Sequence, residues 1–79
     1  MYSMFYDYSN LISLDLSNFK TIKVTDMSFM FYGCSNLKVL NINQFIYNKN
    51  CNMKDILKGI DKIYCNLIVK EENIKKLFK

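Results

Sequence analysis

The apolar residues of the chain follow two alternating patterns with different periods. The first pattern has the spacing i, i+3, i+4, i+7 and is formed by Met27, Met30, Phe31 and Cys34. This spacing is typical of one face of a two-turn helix. In the second pattern the period falls to two, as in Leu40 and Ile42, which is typical of a short strand whose side chains alternate between two faces. The two patterns together predict a helix followed by a short strand.

Both patterns recur at an offset of 26 residues. Residues 4–11 align with residues 30–37, and the alignment continues without a gap to Phe19 and Phe45. A third, looser copy begins at Met53. A period of 26 lies within the range of about 20–29 residues that is typical of leucine-rich repeats. The sequence therefore predicts one domain over residues 1–79, with repeats of approximately 1–26, 27–52 and 53–79.

A helix and a strand of this size cannot bury their apolar sides alone, but stacked repeats can share one core. We therefore expect an α/β fold, a leucine-rich-repeat solenoid with short parallel strands on one face and helices on the other. The predicted helices lie near Met1–Asp7, Asp26–Tyr32 and Met53–Lys58. The predicted strands lie near Ser13–Leu16, Val39–Ile42 and Leu67–Val69.

The end of the chain predicts a C-terminal capping helix over Glu71–Phe78. Acidic residues lie in its first turn and lysines near its end, which complements the helix dipole.

In the middle of the chain, the central repeat has a neighbour on each side. Its apolar residues are therefore predicted to be buried, namely Met30, Phe31, Leu37, Leu40 and Ile42.

The composition argues against catalysis and against cofactor binding. The chain has no histidine and no arginine, and it has only two glycines. It therefore lacks the commonest general base and metal ligand, and it has no glycine-rich phosphate loop. The three cysteines form no close pair, so neither a zinc site nor a disulfide framework is indicated. We expect no enzyme, no catalytic residue, no metal and no cofactor.

The charge pattern does not favour a nucleic-acid or membrane protein. The net charge is +4, and the excess of lysine lies after Phe45, where acidic residues interrupt it. Such a segment is typical of solvated helix faces, and the absence of arginine removes the bidentate phosphate clamp. No apolar run approaches the roughly 18 residues that a membrane span requires. We expect no nucleic-acid binding and no membrane insertion.

Six residues on or directly after the first two predicted strands are candidates for ligand contact. They lie between or just after the inward-facing strand residues and are Ser13, Asp15, Ser17, Val39, Asn41 and Asn43. Alternation along a strand places such residues on the face opposite the core. Five of the six carry a hydroxyl, amide or carboxylate group, which suits adaptable hydrogen bonding. The pattern predicts a protein-binding face.

Segments 4–19 and 24–37 resemble the repeats of BspA-type leucine-rich-repeat surface proteins, also known as mycoplasma-type surface-protein repeats. The resemblance implies a solenoid of many repeats on a bacterial or protist cell surface. It also implies adhesion to host or extracellular-matrix proteins. The first residues show no basic segment typical of a signal peptide, so the chain is expected to be a short fragment of such an array, and its surface or secreted location follows from the resemblance alone.

A second interpretation remains open beside the interaction module. The chain is then a truncated repeat remnant without independent function, or a structural module that associates with itself. The predicted first strand has no neighbour on one side, and an unpaired strand edge favours association with another chain.

Overall fold

The computed structural model describes residues 2–46 and 48–78 and contains three short strands: β1 (Ser13–Asp15), β2 (Val39–Asn41) and β3 (Asn66–Ile68). They form one parallel sheet in the order β1-β2-β3. The parallel arrangement is as predicted. The third strand begins one residue before the predicted range, at Asn66 rather than Leu67.

Each strand directs its central residue towards the core. Leu14, Leu40 and Leu67 are register partners across the sheet, and Leu40 on the central strand is fully buried. The residues on either side of each leucine face away from the core, as a period of two requires. The chain turns inward again directly after β1 and β2, where Leu16 and Ile42 are buried.

The three helices predicted ahead of the strands are not formed. Residues 2–8, 27–34 and 53–60, which we call the first, second and third turn segments, adopt turns for most of their length, and Met1 lies outside the described residues. Each segment contains two residues with a left-handed backbone, four positions apart. They are Ser3 and Asp7, Phe29 and Gly33, and Asp55 and Gly59, with φ between 54° and 92°. A right-handed helix cannot pass through such positions.

The hydrogen bonds of the second turn segment explain why turns replace a helix. The N–H groups of its odd-numbered residues donate to the third segment: Met27, Phe29, Phe31 and Gly33 bond to the carbonyls of Asn52, Lys54, Ile56 and Lys58. From Met30 onward, its even-numbered N–H groups donate to the carbonyl three residues earlier: Met30, Tyr32 and Cys34 bond to Met27, Phe29 and Phe31. A helix would use these N–H groups internally, so no donor would remain for the neighbouring segment.

The predicted apolar stripe is nevertheless buried. Met27, Met30, Phe31 and Cys34 are each 0% exposed. The predicted core is confirmed as well, since Leu37, Leu40 and Ile42 are also buried. Aromatic rings stack between the first and second segments, with Phe5 on Phe31 and Tyr6 on Tyr32 at centroid distances of 5.8 and 5.1 Å.

The predicted C-terminal helix is present but short. It consists of α1 (Glu72–Lys75), followed by one 3-10 turn (Lys76–Phe78). Ile74 is fully buried in the core, and the partly buried Phe78 packs against the core. The only α-helix among residues 2–46 and 48–78 therefore closes the C-terminal end of the core. No helix in this part of the chain is long and apolar enough to cross a bilayer.

Replacing Gly59 with alanine is expected to destabilise the protein by about 1–3 kcal/mol. Gly59 has φ +92°, and an added Cβ atom would lie 2.8 Å from the Gly33 backbone nitrogen. Backbone must then shift, because no side-chain rotation relieves this contact. Urea unfolding followed by circular dichroism measures the cost.

Gly33→Ala is the matched control for this prediction. Gly33 also has a positive φ, but the atom nearest to its added Cβ would be a carboxylate oxygen of Asp7. The Asp7 side chain can rotate away, so we expect a smaller cost than at Gly59. A Gly59→Ala variant at least as stable as Gly33→Ala would contradict the close backbone approach.

Candidate binding face on the strands

The outward side chains of the three strands form one surface, which we call the strand face. Its residues are Ser13, Asp15, Val39, Asn41, Asn66 and Ile68. All are exposed except Asn41, which is partly buried. The sheet register arranges these side chains in two rows across the strands.

Each row combines different chemistry. One row contains the Asp15 carboxylate, the Asn41 amide and the aliphatic Ile68 as successive register partners. Adjacent strands in a sheet lie about 4.8 Å apart, so these three groups can contact one partner together. The other row joins the Ser13 hydroxyl to Val39 and Asn66. The face therefore offers hydrogen-bonding groups beside two aliphatic side chains, Val39 and Ile68, each 37% exposed.

Ser17 and Asn43 lie beyond the strands and have a different role. The Ser17 N–H donates to Asp15 Oδ1 at 2.9 Å, and the Asn43 N–H donates to Asn41 Oδ1 at 3.0 Å. This is the side-chain turn that Asp and Asn favour two residues before the donor. The structure thus brings four of the six predicted residues together on the sheet, while Ser17 and Asn43 hold Asp15 and Asn41 in place.

The carboxylate on this face is ionised at neutral pH. Hydrogen bonds from the Ser17 hydroxyl and from its backbone N–H lower the pKa of Asp15 below its ordinary value of 3.8. Asp15 is the only charged residue of the strand face as defined above. The face therefore presents one fixed negative charge at the β1 edge and an aliphatic side chain at the β3 edge.

The shape of the strand face suits a broad partner better than a small molecule. Its centre is a depression of about 220 Å³ lined by Ser13, Leu14, Asp15, Val39, Asn41 and Ile68. Small-molecule sites are typically clefts of about 300–1,000 Å³ that enclose most of the ligand. A depression of this size is better suited to contact with the surface of a larger partner that lies across the strands.

Asn66 and Ile68 were missed by the sequence reasoning. The signal was available in the pair Leu67 and Val69, which has the same spacing as Leu40 and Ile42 but follows that pair by 27 residues instead of 26. Aligning these inward residues would have placed Asn66 and Ile68 outward. The register confirms this phase, since Asn66 pairs with Val39 and Ile68 with Asn41.

The three cysteine thiols lie in the core, away from the strand face. Cys34, Cys51 and Cys65 are free and buried, and burial raises the pKa of each thiol. A raised pKa leaves the thiol protonated and weakly nucleophilic. Within residues 2–46 and 48–78, no group of three His, Cys, Asp or Glu side chains comes together as a metal site.

The chain was compared with protein families, curated proteins and solved structures. Residues 1–76 match the model of a protein family described as "Mycoplasma protein of unknown function, DUF285". No curated protein matches the chain. No solved structure matches it either.

Proposed function

The chain belongs to the mycoplasma protein family of unknown function DUF285, and we propose that it is a protein-interaction module that binds its partner through the strand face. All three strands lie within the matched residues 1–76, so the strand face is part of the region that matches the family. The proposed partner is a folded protein or an extended segment of one.

We also propose that the domain is a solenoid of about three 26-residue leucine-rich repeats of the BspA type. Support comes from features that recur at this offset. β1 and β2 pair in a register that joins Leu14 to Leu40. The left-handed positions Ser3, Phe29 and Asp55 recur at the same offset. Solenoids of this kind present extended binding surfaces formed by neighbouring repeats.

The observation that carries the proposed function is the composition of the strand face. A strand with one buried face typically alternates apolar inward residues with polar outward ones. Here Val39 and Ile68 are exposed beside Asn41 and the ionised Asp15. Apolar side chains next to hydrogen-bonding groups are the combination that protein interfaces use.

By its resemblance to surface adhesins, the proposed partner is a host or extracellular-matrix protein. The single carboxylate at the β1 edge favours a partner with a positive charge opposite Asp15. The chemistry of the face requires no cofactor and no nucleic acid.

Replacing Asp15 and Asn41 together with lysine is expected to weaken partner binding at least tenfold, or about 1.4 kcal/mol. The two residues are register partners on adjacent strands, so two lysines would reverse the local charge and crowd the docked partner. The fold should persist, because both side chains face away from the core. Surface plasmon resonance against immobilised extracellular-matrix proteins measures the affinity, and circular dichroism checks the fold.

Lys75→Ala with Lys76→Ala is the matched control, because it changes two exposed positions on the C-terminal helix. This control should bind like the wild type. If the control loses binding and the Asp15→Lys/Asn41→Lys variant keeps it, the site lies on the C-terminal helix and the strand-face proposal is wrong.

A further inference from the structure

A second exposed surface lies at the amino ends of the strands. It consists of Ile12 and Lys38, which directly precede β1 and β2, and of Ile63 and Tyr64 in the turn before β3. We call these four residues the amino-edge ridge. Ile63 and Tyr64 are 85% and 70% exposed, and Ile12 is 52% exposed. Each of these three side chains is more exposed than the two aliphatic side chains of the strand face.

Backbone and side-chain contacts join the ridge into one surface. The Lys38 N–H donates to the Ile12 carbonyl at 2.7 Å, and the Asn66 N–H donates to the Lys38 carbonyl at 2.8 Å. The hydrogen bonds of the sheet thus continue beyond the amino ends of the strands. The Lys38 ammonium lies 6.0 Å from the centroid of the Tyr64 ring, which is within the range of a cation–π contact. Lys38 therefore lies at the centre of the ridge.

The turn before β3 is one residue longer than its counterpart in the central repeat. The connection from the third turn segment to the central leucine of β3 spans residues 61–66, whereas the corresponding connection to β2 spans residues 35–39. Asp61 fixes the longer turn. Its carboxylate accepts the Ile63 N–H at 2.9 Å, and its carbonyl accepts the Cys65 N–H at 2.9 Å. The additional residue is therefore part of a hydrogen-bonded turn that presents the apolar side of the ridge.

The direction of this edge explains why its side chains are exposed. In the central repeat, Ser35, Asn36 and Lys38 are all exposed, although β2 has a strand on each side. The turn with Ile63 and Tyr64 occupies the corresponding place in the third repeat. A repeat with neighbours on both sides therefore still presents this edge to solvent, so stacking of repeats leaves the ridge open to a partner.

The ridge and the strand face carry opposite charges at opposite ends. Lys38 is the only charged residue of the ridge as defined above, and Asp15 lies at the carboxyl end of β1. Within residues 2–46 and 48–78, neither side chain forms an ion pair. Asp15 is the register partner of Asn41, which follows Lys38 by three residues. The backbones of Lys38 and Asp15 are therefore about 11 Å apart, at about 3.3 Å per residue and 4.8 Å between strands.

We propose that the amino-edge ridge extends the strand face and binds a segment of the partner protein in which an acidic side chain is flanked by apolar side chains. This inference rests on the proposed function of the strand face. The acidic side chain pairs with Lys38, and the apolar side chains cover Ile63 and Tyr64. A basic side chain of the same partner meets Asp15.

The two parts of the ridge contribute differently to binding. Covering Ile63 and Tyr64 removes apolar surface from water and supplies affinity. Lys38 supplies specificity, because a reversed partner would place a basic side chain at Lys38 and an acidic one at Asp15. Like charges in such positions disfavour the wrong arrangement. The opposite charges therefore select one orientation of the partner.

Titration with two synthetic peptides, followed by nuclear magnetic resonance, tests the chemistry of the ridge. One peptide carries a glutamate between two phenylalanines, and the other carries glutamine in its place. The glutamate peptide should shift the amide signals of Lys38, Ile63 and Tyr64. It should bind about two- to fivefold more tightly than the glutamine peptide, as expected for an exposed ion pair, and added salt should reduce this difference. Equal affinities, or shifts confined to other residues, would overturn the proposal.

Lys38→Glu and Lys62→Glu form a matched pair of variants for the peptide titration. Both change the same charge at an exposed position, but Lys62 lines the cavity beside the third turn segment and not the ridge. Lys38→Glu should abolish the preference for the glutamate peptide, whereas Lys62→Glu should retain it. Loss of the preference in both variants would show a general charge effect and contradict a site at Lys38. Circular dichroism verifies that both variants fold.

Surface plasmon resonance with extracellular-matrix proteins separates this inference from the proposed function. Lys38→Glu should weaken binding to the same matrix protein that Asp15→Lys with Asn41→Lys affects. If the strand-face variant loses binding and Lys38→Glu retains it, the proposed function stands and the extension to the ridge is wrong. If no matrix protein binds but the peptide preference depends on Lys38, the ridge inference stands and the proposed partner of the strand face is wrong.

Discussion

Replacing Phe31 with alanine is expected to lower the free energy of unfolding by about 3–5 kcal/mol. Phe31 is fully buried, and it lies between two other rings. Its ring stacks on Phe5 at a centroid distance of 5.8 Å and contacts Phe45 at 6.2 Å. Truncation of Phe31 leaves a cavity. The neighbouring turn segments cannot move in to fill it, because backbone hydrogen bonds hold them in place.

The loss would be a large fraction of the total stability. Small domains bury only about 60% of their unfolded surface, and native proteins in general are stable by about 5–15 kcal/mol. Chemical denaturation with urea, monitored by far-ultraviolet circular dichroism, should show Phe31→Ala largely unfolded or with a much lower midpoint.

Phe19→Ala is the matched control for the Phe31 prediction. Phe19 is the counterpart of Phe45 in the first repeat and is 37% exposed, so its truncation removes less buried surface. We expect a cost clearly below that of Phe31→Ala. Equal costs for the two variants would show that the ring stack around Phe31 does not hold the core together.

The strands and the core were predictable from the sequence because both depend on periodicity. Leu14 and Leu40 occur at the same phase of a period of two, and they are register partners in the sheet. Burial of Met30 and Phe31 follows from their place on the apolar stripe. Apolar side chains are stabilised when they point into the core. The spacing of apolar residues therefore predicts which side chains are buried, even where the backbone forms turns instead of a helix.

The turn segments were mispredicted as helices because spacing does not report backbone handedness. Side chains at i, i+3, i+4 and i+7 face one side in a helix, and they also do so in the consecutive turns of the second segment. Gly33 and Gly59 signalled a left-handed backbone. Phe29 gave no such signal, since a bulky residue with φ 56° is rare in general.

The choice of turns over a helix is a tertiary effect. Phe29 and Phe31 donate their N–H groups to Lys54 and Ile56, which lie in the neighbouring segment. These bonds are available only when the segments are already side by side. No property of residues 27–34 alone encodes them, so reasoning from a single segment could not have found them.

The strand face was predictable for the first two strands and incomplete for the third. Asp15 and Asn41 follow from the phase of the neighbouring leucines, and they are adjacent in the sheet. The supporting turns at Ser17 and Asn43 depend on side-chain hydrogen bonds, which the period alone does not reveal. One additional residue before the third strand shifts its phase, so that Ile68 faces outward.

Leu40→Ala is expected to destabilise the protein by about 2–5 kcal/mol, and by more than the same change at Leu14 or Leu67. All three leucines are register partners, but β2 has a strand on each side whereas β1 and β3 lie at the sheet edges. Leu40 is fully buried, while Leu14 and Leu67 are partly exposed.

The burial difference decides the order of the Leu40 series because the cost of truncation grows with the cavity left behind. At Leu14 and Leu67 water can enter part of the vacated space, whereas at Leu40 the neighbouring strands keep it closed.

Val39→Ala removes an outward side chain from the same strand and should cost less than about 0.5 kcal/mol, as for other surface positions. Thermal unfolding of the four variants gives the order directly. A Val39→Ala cost equal to that of Leu40→Ala would mean that β2 presents the opposite face to the core, and the binding face inferred from that phase would then be wrong as well.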